Sequence, residues 1–230
     1  MFFFNKKKVV VDCFTSMPII ADEYAIKRAI KLAPSWWKAL EDAFKVPFNM
    51  GINRELNTIK FCKGFTDLYK NVWVMPLWSD IFLQTGEDGS YKYLTPNDFG
   101  ERFITSHFPK QYEGAFNSYI QLKVVSPWII REKKGVNFLY KGADWSLVDD
   151  QPDVRILDGV VNYKSQASSN INMLVPKKQA EYKFYAGSPL MMFVPLTEDD
   201  VLFKIHSVTT AEFDELSKLH SRHRNRLQRM

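Results

Sequence analysis

Glycine is scarce in this chain, 10 of 230 residues, against the roughly 7% usual in proteins. That scarcity removes a class of function at once. Neither G-x-G-x-x-G nor G-x-x-x-x-G-K-[ST] occurs, so the dinucleotide fold and the P-loop, which bring bare backbone up to phosphate, are excluded. Cysteine is scarcer still. Cys13 and Cys62 are too few for a disulfide framework or a zinc knuckle, and both lie in apolar sequence. They are expected to be buried free thiols in a reducing compartment. Long apolar runs are missing as well. The longest, around Trp73 to Leu83, is broken by Pro76 and Asp80, so no membrane partner is expected. Met1-Phe2-Phe3-Phe4 precedes Lys6-Lys7-Lys8, the reverse of the basic-then-apolar order of a secretory signal. The expected location is the cytoplasm.

Aromatic residues, by contrast, are abundant: 18 Phe, 10 Tyr and 6 Trp make up 15% of the chain. Each buries a large area, so a sizeable core can be filled with rings left over for the surface. Hydrophobic residues at 46% and charged ones at 25% are ordinary for a globular protein. The net charge of +5 has a single source. Lys218, Arg222, Arg224, Arg226 and Arg229 lie in the last 13 residues without one acid among them. The remaining 26 basic residues balance the 26 acidic ones. The excess therefore belongs to a terminal segment and not to a basic face of the body.

The hydrophobic pattern changes period along the chain. Residues 1–14 alternate as a strand does. Asp22 to Leu32 approximates helical spacing with Pro34 as a stop, and a second short helix is expected from Ser35 to about Phe44. Pro47 to Arg54 reads as loop because of Asn49, Gly51 and Asn53. Short strands are expected from Thr58 to Cys62 and from Val72 to Gln84, the latter apolar on both faces and so covered on both sides. Glu87-Asp88-Gly89 marks a hairpin into Tyr91–Leu94. Eight further strands are expected at 118–125, 128–131, 137–140, 156–163, 170–175, 182–185, 190–194 and 201–206. Thr209-Thr210-Ala211-Glu212 is a capping box, and Phe213, Leu216 and Leu219 give the helix behind it an apolar stripe. Many short strands with helices at the two ends predict a mainly β fold, an antiparallel β-sandwich or jelly-roll barrel. One β-rich domain over residues 1–208, with a helical insertion near 22–44, is followed by a C-terminal helix and basic tail over 209–230.

Three stretches resemble a known family when taken in order. They are Leu32-Ala33-Pro34-Ser35-Trp36-Trp37-Lys38-Ala39-Leu40, Val74-Met75-Pro76-Leu77-Trp78-Ser79-Asp80, and Ala186-Gly187-Ser188-Pro189-Leu190-Met191-Met192-Phe193-Val194-Pro195-Leu196. They are similar to proteins carried by tailed phages, especially marine and cyanobacterial ones, and by some bacteria. The resemblance covers most of residues 15–200 and leaves out the basic tail. It implies a cupin-like or jelly-roll fold and a place in the host cytoplasm or the virion. It brings no catalytic residues.

A cupin-like fold invites a search for metal ligands, and the inventory is thin. His107, His206, His220 and His223 are followed two residues later by Pro109, Val208, Arg222 and Asn225. The His-x-Asp/Glu pair of a non-haem iron site is therefore missing, and no metal or cofactor is expected. The candidate polar site in the body consists of Asp80, His206 and His107. Asp80 stands out as a carboxylate inside an apolar strand, where only a base or backbone donors can satisfy it. The acids Asp144, Asp149, Asp150, Asp153 and Asp158 read as a solvated turn. Trp36 and Trp37 cannot both face one core from adjacent helical positions, which makes them an aromatic contact candidate. Lys218, Arg222, Arg224, Arg226 and Arg229 form the anion- or partner-binding candidate. The expected function is a non-enzymatic structural or interaction protein, with other protein subunits, further copies of itself, or nucleic acid as partners. The alternative is a cupin-like small-molecule binder or metal-dependent enzyme using the barrel mouth.

Overall fold

A computed structural model describes residues 7–48, 51–96, 103–112, 114–143, 153–168 and 170–227, with side chains described only as far as Lys218 in the last helix. The chain opens with strand β1 (Lys8–Thr15), whose alternate residues Val9, Val11, Cys13 and Thr15 are buried. Helix α1 (Pro18–Asp22), strand β2 (Lys27–Arg28), a 3-10 turn at Ala29–Leu32 and helix α2 (Ser35–Ala39) follow. The long helix expected from Asp22 is thus replaced by short pieces, because residues 27–28 pair as a strand and the chain cannot do both. Strands β3 (Ala43–Phe48) and β4 (Ile52–Asn57) form a hairpin where the end of the second helix, near Phe44, and a loop from Pro47 to Arg54 were expected. The expected strand at 58–62 is a 3-10 turn, Ile59–Phe61. Helix α3 (Lys63–Asn71) then leads into β5 (Trp73–Pro76) and β6 (Ile81–Thr85).

The rest is almost wholly β. In order come β7 (Tyr91–Leu94), β8 (Ile104–Ser106), β9 (Tyr119–Val124), β10 (Ile129–Glu132) and β11 (Asn137–Gly142). After them come β12 (Arg155–Ile156), β13 (Gly159–Asn162), β14 (Ile171–Pro176), β15 (Ala180–Phe184), β16 (Pro189–Pro195) and β17 (Asp200–Ser207). Helix α4 (Thr210–Leu227) closes the chain.

These strands assemble into sheets of order β10-β1-β17, β13-β11-β16-β5-β2, β12-β14-β9-β8 and β15-β6-β7, with β3-β4 standing alone. Every pairing is antiparallel except β1 with β17, which run parallel from Lys8↔Asp200 to Thr15↔Ser207. The fold is mainly β and sandwich-like. Its main core draws rings and aliphatic side chains from the four larger sheets, among them Trp78, Trp128, Phe138, Tyr163 and Phe193. A second, smaller core lies on the other face of the five-stranded sheet. There Val74 and Met192 meet Phe65 and Tyr69 of α3. β5 is therefore covered on both faces, as its unbroken apolar run requires.

Two strand pairs change sheets at one place. β5 pairs with β16 and β6 with β15, so both connections must cross from one sheet to the other between residues 77–80 and 185–188. Leu77 and Gly187 exchange backbone hydrogen bonds with the opposite segment there. Gly187 has φ +83°, a conformation that glycine adopts without strain. The single strand expected over 72–84 is split by this crossing. Gly159 is required for a different reason: it lies opposite Tyr140 in register, and a Cβ would collide with the phenol ring.

Candidate functional site

Asp80 sits at the sheet crossing. It is half buried, and its Oδ1 accepts a hydrogen bond from the Ala186 N–H at 2.7 Å. The carboxylate thereby fastens the two crossing segments to each other, which is the task of a loop anchor. His206, near the end of β17, has Nε2 2.8 Å from Asp12 Oδ1 on the parallel neighbour β1, and its ring stacks on Phe14 at 4.7 Å. His107 follows β8, its Nε2 2.9 Å from Asn172 Oδ1 and its Nδ1 3.2 Å from Gln111 Oε1. It lines a small cleft with Asp88, Tyr91, Phe116 and Lys177. The three candidates thus belong to three different sheets or sheet junctions, each engaged by its own partners. Among the described residues, no group of three His, Cys, Asp or Glu side chains is placed to hold a metal.

The tryptophan pair divides as its helical spacing demands. Trp37 stacks on Tyr69 at 5.6 Å between ring centres and lies 5.9 Å from Phe65, while Trp36 remains exposed at the edge of this cluster. Cys13 is buried, and Cys62 is exposed where a buried thiol was expected, because it precedes α3 outside both cores. Of the acidic run, Asp153 pairs with Lys178, and Asp144, Asp149 and Asp150 lie outside the described residues. In α4, Lys218 is exposed and pairs with Glu215 at 3.4 Å. Arg222, Arg224 and Arg226 belong to the helix by backbone alone, and Arg229 lies outside the described residues.

Three features escaped the sequence reading. The first is a cleft of about 570 Å³ between α3 and the β16–β17 connection. Leu68, Val72, Val194, Pro195 and Val201 supply its apolar lining, and Asp67, Glu198, Asp199 and Asp200 its acidic groups. Among the described residues that line it Arg28 is the one cation, while Lys63 pairs with Asp67 from outside the lining. The guanidinium lies 4.7 Å over the Trp73 ring, pairs with Asp200 at 3.3 Å and donates to the Val201 carbonyl at 3.0 Å. These residues are scattered from 28 to 201, so no local pattern announces them.

The second is Glu132, whose buried carboxylate accepts backbone N–H bonds from Lys134, Gly135 and Val136 at 2.6, 2.5 and 2.8 Å. It closes the β10–β11 turn as a structural anchor. The third is the β3–β4 hairpin. Register places Phe44 opposite Leu56, Val46 opposite Arg54, and Phe48 opposite Ile52 on one face, with Lys45 opposite Glu55 on the other. The signal for it was present: apolar residues alternate through Phe44, Val46 and Phe48, and again at Ile52 and Leu56, around a Gly51 turn. Pro47 masked it, since proline argues against a strand unless the strand is an edge. The chain matches no protein-family model, no curated protein and no solved structure.

Proposed function

We propose that this protein is a non-enzymatic interaction protein, a phage structural or host-directed component whose basic C-terminal helix docks onto an anionic partner. The observation that carries the reading is how little of α4 the body uses over its described side chains, Thr210 to Lys218. Between Thr210 and Lys218 only Phe213 and Leu216 are half buried and the rest are exposed. Among the described residues, one side-chain hydrogen bond reaches the helix from the body, from Arg131 Nη2 to the Leu216 carbonyl at 3.3 Å. A helix held by so small a face gains little from its own fold beyond that point, yet the backbone stays helical to Leu227. A partner that supplies negative charge would engage Arg222, Arg224, Arg226 and Arg229. The phage setting rests on the resemblance of the three sequence stretches.

Deletion of residues 220–230 tests the docking role. The truncated chain should fold with an unchanged melting temperature and lose binding to the anionic probe. On duplex DNA, binding should weaken with salt at a slope of roughly 0.9 per phosphate neutralised. An acidic protein probe that binds where DNA does not would assign the partner as protein. Unchanged binding after deletion overturns the reading. Proteomics of purified particles tests the phage setting separately.

A further inference from the structure

We infer that the cleft between α3 and the β16–β17 connection is the seat of the chain's own segment ahead of β1, with the rings of Phe2, Phe3 and Phe4 covering its apolar wall. Lys7, the first described residue, is fixed at the rim of this cleft. Its N–H donates to Asp199 Oδ1 at 3.1 Å and its carbonyl accepts from the Asp200 N–H at 3.1 Å. Asp199 and Asp200 both line the cleft. Phe4 is three residues from that anchor and Phe2 five, which gives reaches of at most about 11 and 18 Å. The distance to cross is shorter. β17 is the edge strand of its sheet, with β1 on one side and Arg28 bonded to its Val201 carbonyl on the cleft side. A strand occupies about 4.8 Å of a sheet.

The segment and the cleft match in character. Leu68 from α3, and Val194 and Pro195 from the end of β16, are half buried in the cleft wall. Asp67 is paired with Lys63 and Asp200 with Arg28, so Glu198 and Asp199 are the lining acids without an ion pair among the described residues. Three successive rings followed by Lys6 and Lys7 answer that arrangement. The cations fall beside Glu198 and Asp199, and the rings fall beyond them, toward the α3 wall. Covering that wall is favourable in proportion to the apolar area taken from water.

The size of the cleft favours a tethered occupant. So short a lining falls well below the roughly 1,200 Å² at which specific interfaces between separate proteins begin. A segment already joined to the rim loses no translational freedom on binding. It is held at an effective concentration that is millimolar for a short linker, so a contact of millimolar affinity suffices to keep it seated.

The test is the accessibility of a thiol placed in the wall. Leu68→Cys in a Cys62→Ser background should react slowly with a thiol-specific reagent. Adding Phe2→Ser, Phe3→Ser and Phe4→Ser together should speed that reaction at least fivefold while melting remains cooperative. Val194→Cys, on the other wall, gives the same comparison if Leu68→Cys does not fold. Equal rates with and without the three rings overturn the inference. A rate that falls as protein concentration rises also overturns it, because the segment would then come from another chain. So does reaction of the buried Cys13 in the ring variant, which would show that the rings hold the start of β1 and not the cleft. Deleting residues 220–230 should leave the slow rate unchanged, whatever becomes of binding by the C-terminal helix. If that deletion speeds the reaction, the tail is the occupant and the inference falls.

Discussion

Thr209 and Glu212 cap the C-terminal helix reciprocally. The Thr209 N–H donates to Glu212 Oε2 at 2.8 Å, while Thr209 Oγ1 accepts from the Glu212 N–H at 3.2 Å. The backbone bond from Thr209, and then its hydroxyl, hold the Glu212 carboxyl below its usual value of 4.5. A folded-state pKa that is depressed contributes stability above the unfolded value and loses it as pH falls through the folded one. The first turn of α4 should therefore fray on acidification below about pH 4.5 while the β body stays folded. Amide exchange at residues 210–213, compared on both sides of that pH, measures it. Glu212→Ala should leave the protection low at both, while Glu212→Gln, which keeps an acceptor oxygen for the Thr209 N–H, should remove the pH dependence.

The two thiols should differ in reactivity. Burial, and then the neighbouring Asp12 charge, push the Cys13 thiol well above its usual range, so the reactive thiolate is suppressed. Cys62 is exposed. A thiol-specific reagent should modify one cysteine in the native protein and two in denaturant, with Cys62→Ser removing the native reaction. Fast modification of Cys13 would show that the β1–β17 core opens readily.

Tyr69 is held in the small core with its hydroxyl unpaired among the described residues. Burial pushes its phenol up to about 12. A raised folded-state pKa gives stability that is whole below the unfolded value of 10 and declines as pH rises toward the folded one. Tyr69→Phe deletes the orphan hydroxyl and keeps the ring on Trp37. It should be neutral or stabilising by about 1 kcal/mol, and denaturation at alkaline pH should lose the corresponding decline.

Most of the β framework was legible in the sequence because its strands alternate as half-buried strands must. Val9, Val11 and Cys13 mark β1 in this way, and the capping box marks α4. What could not be read were places where the chain changes partners. Val72 to Gln84 is continuously apolar, so nothing in its composition betrays that β5 and β6 join different sheets. Ile156 to Tyr163 conceals the same event, since β12 and β13 pair with β14 and β11. Asp80 was legible as an exception because a carboxylate in such a run needs a partner. The cleft was not, because its lining comes from β2, α3 and the β16–β17 connection, segments far apart in the sequence that meet only in the folded chain.

Asp80 and Glu132 do the same job to different degrees, and their variants should rank accordingly. Glu132 is buried and accepts three backbone N–H bonds; Asp80 is half buried and accepts one. Removing a buried acceptor strands its donors at about 1–3 kcal/mol each when water cannot reach them. Glu132→Ala should therefore cost at least about 3 kcal/mol, a large share of a typical domain's stability. Asp80→Ala should cost about 1–2 kcal/mol, because only the Ala186 N–H is left and water partly reaches it. Asp80→Asn, which keeps an acceptor oxygen, should recover most of that loss. Glu132→Gln should recover less, since one amide oxygen cannot replace two carboxylate oxygens serving three donors. Equilibrium unfolding in urea reads all four. If Asp80→Ala proves neutral, Asp80 contributes nothing to the crossing, and the two strand pairs are aligned there by the Leu77 and Gly187 backbone bonds alone.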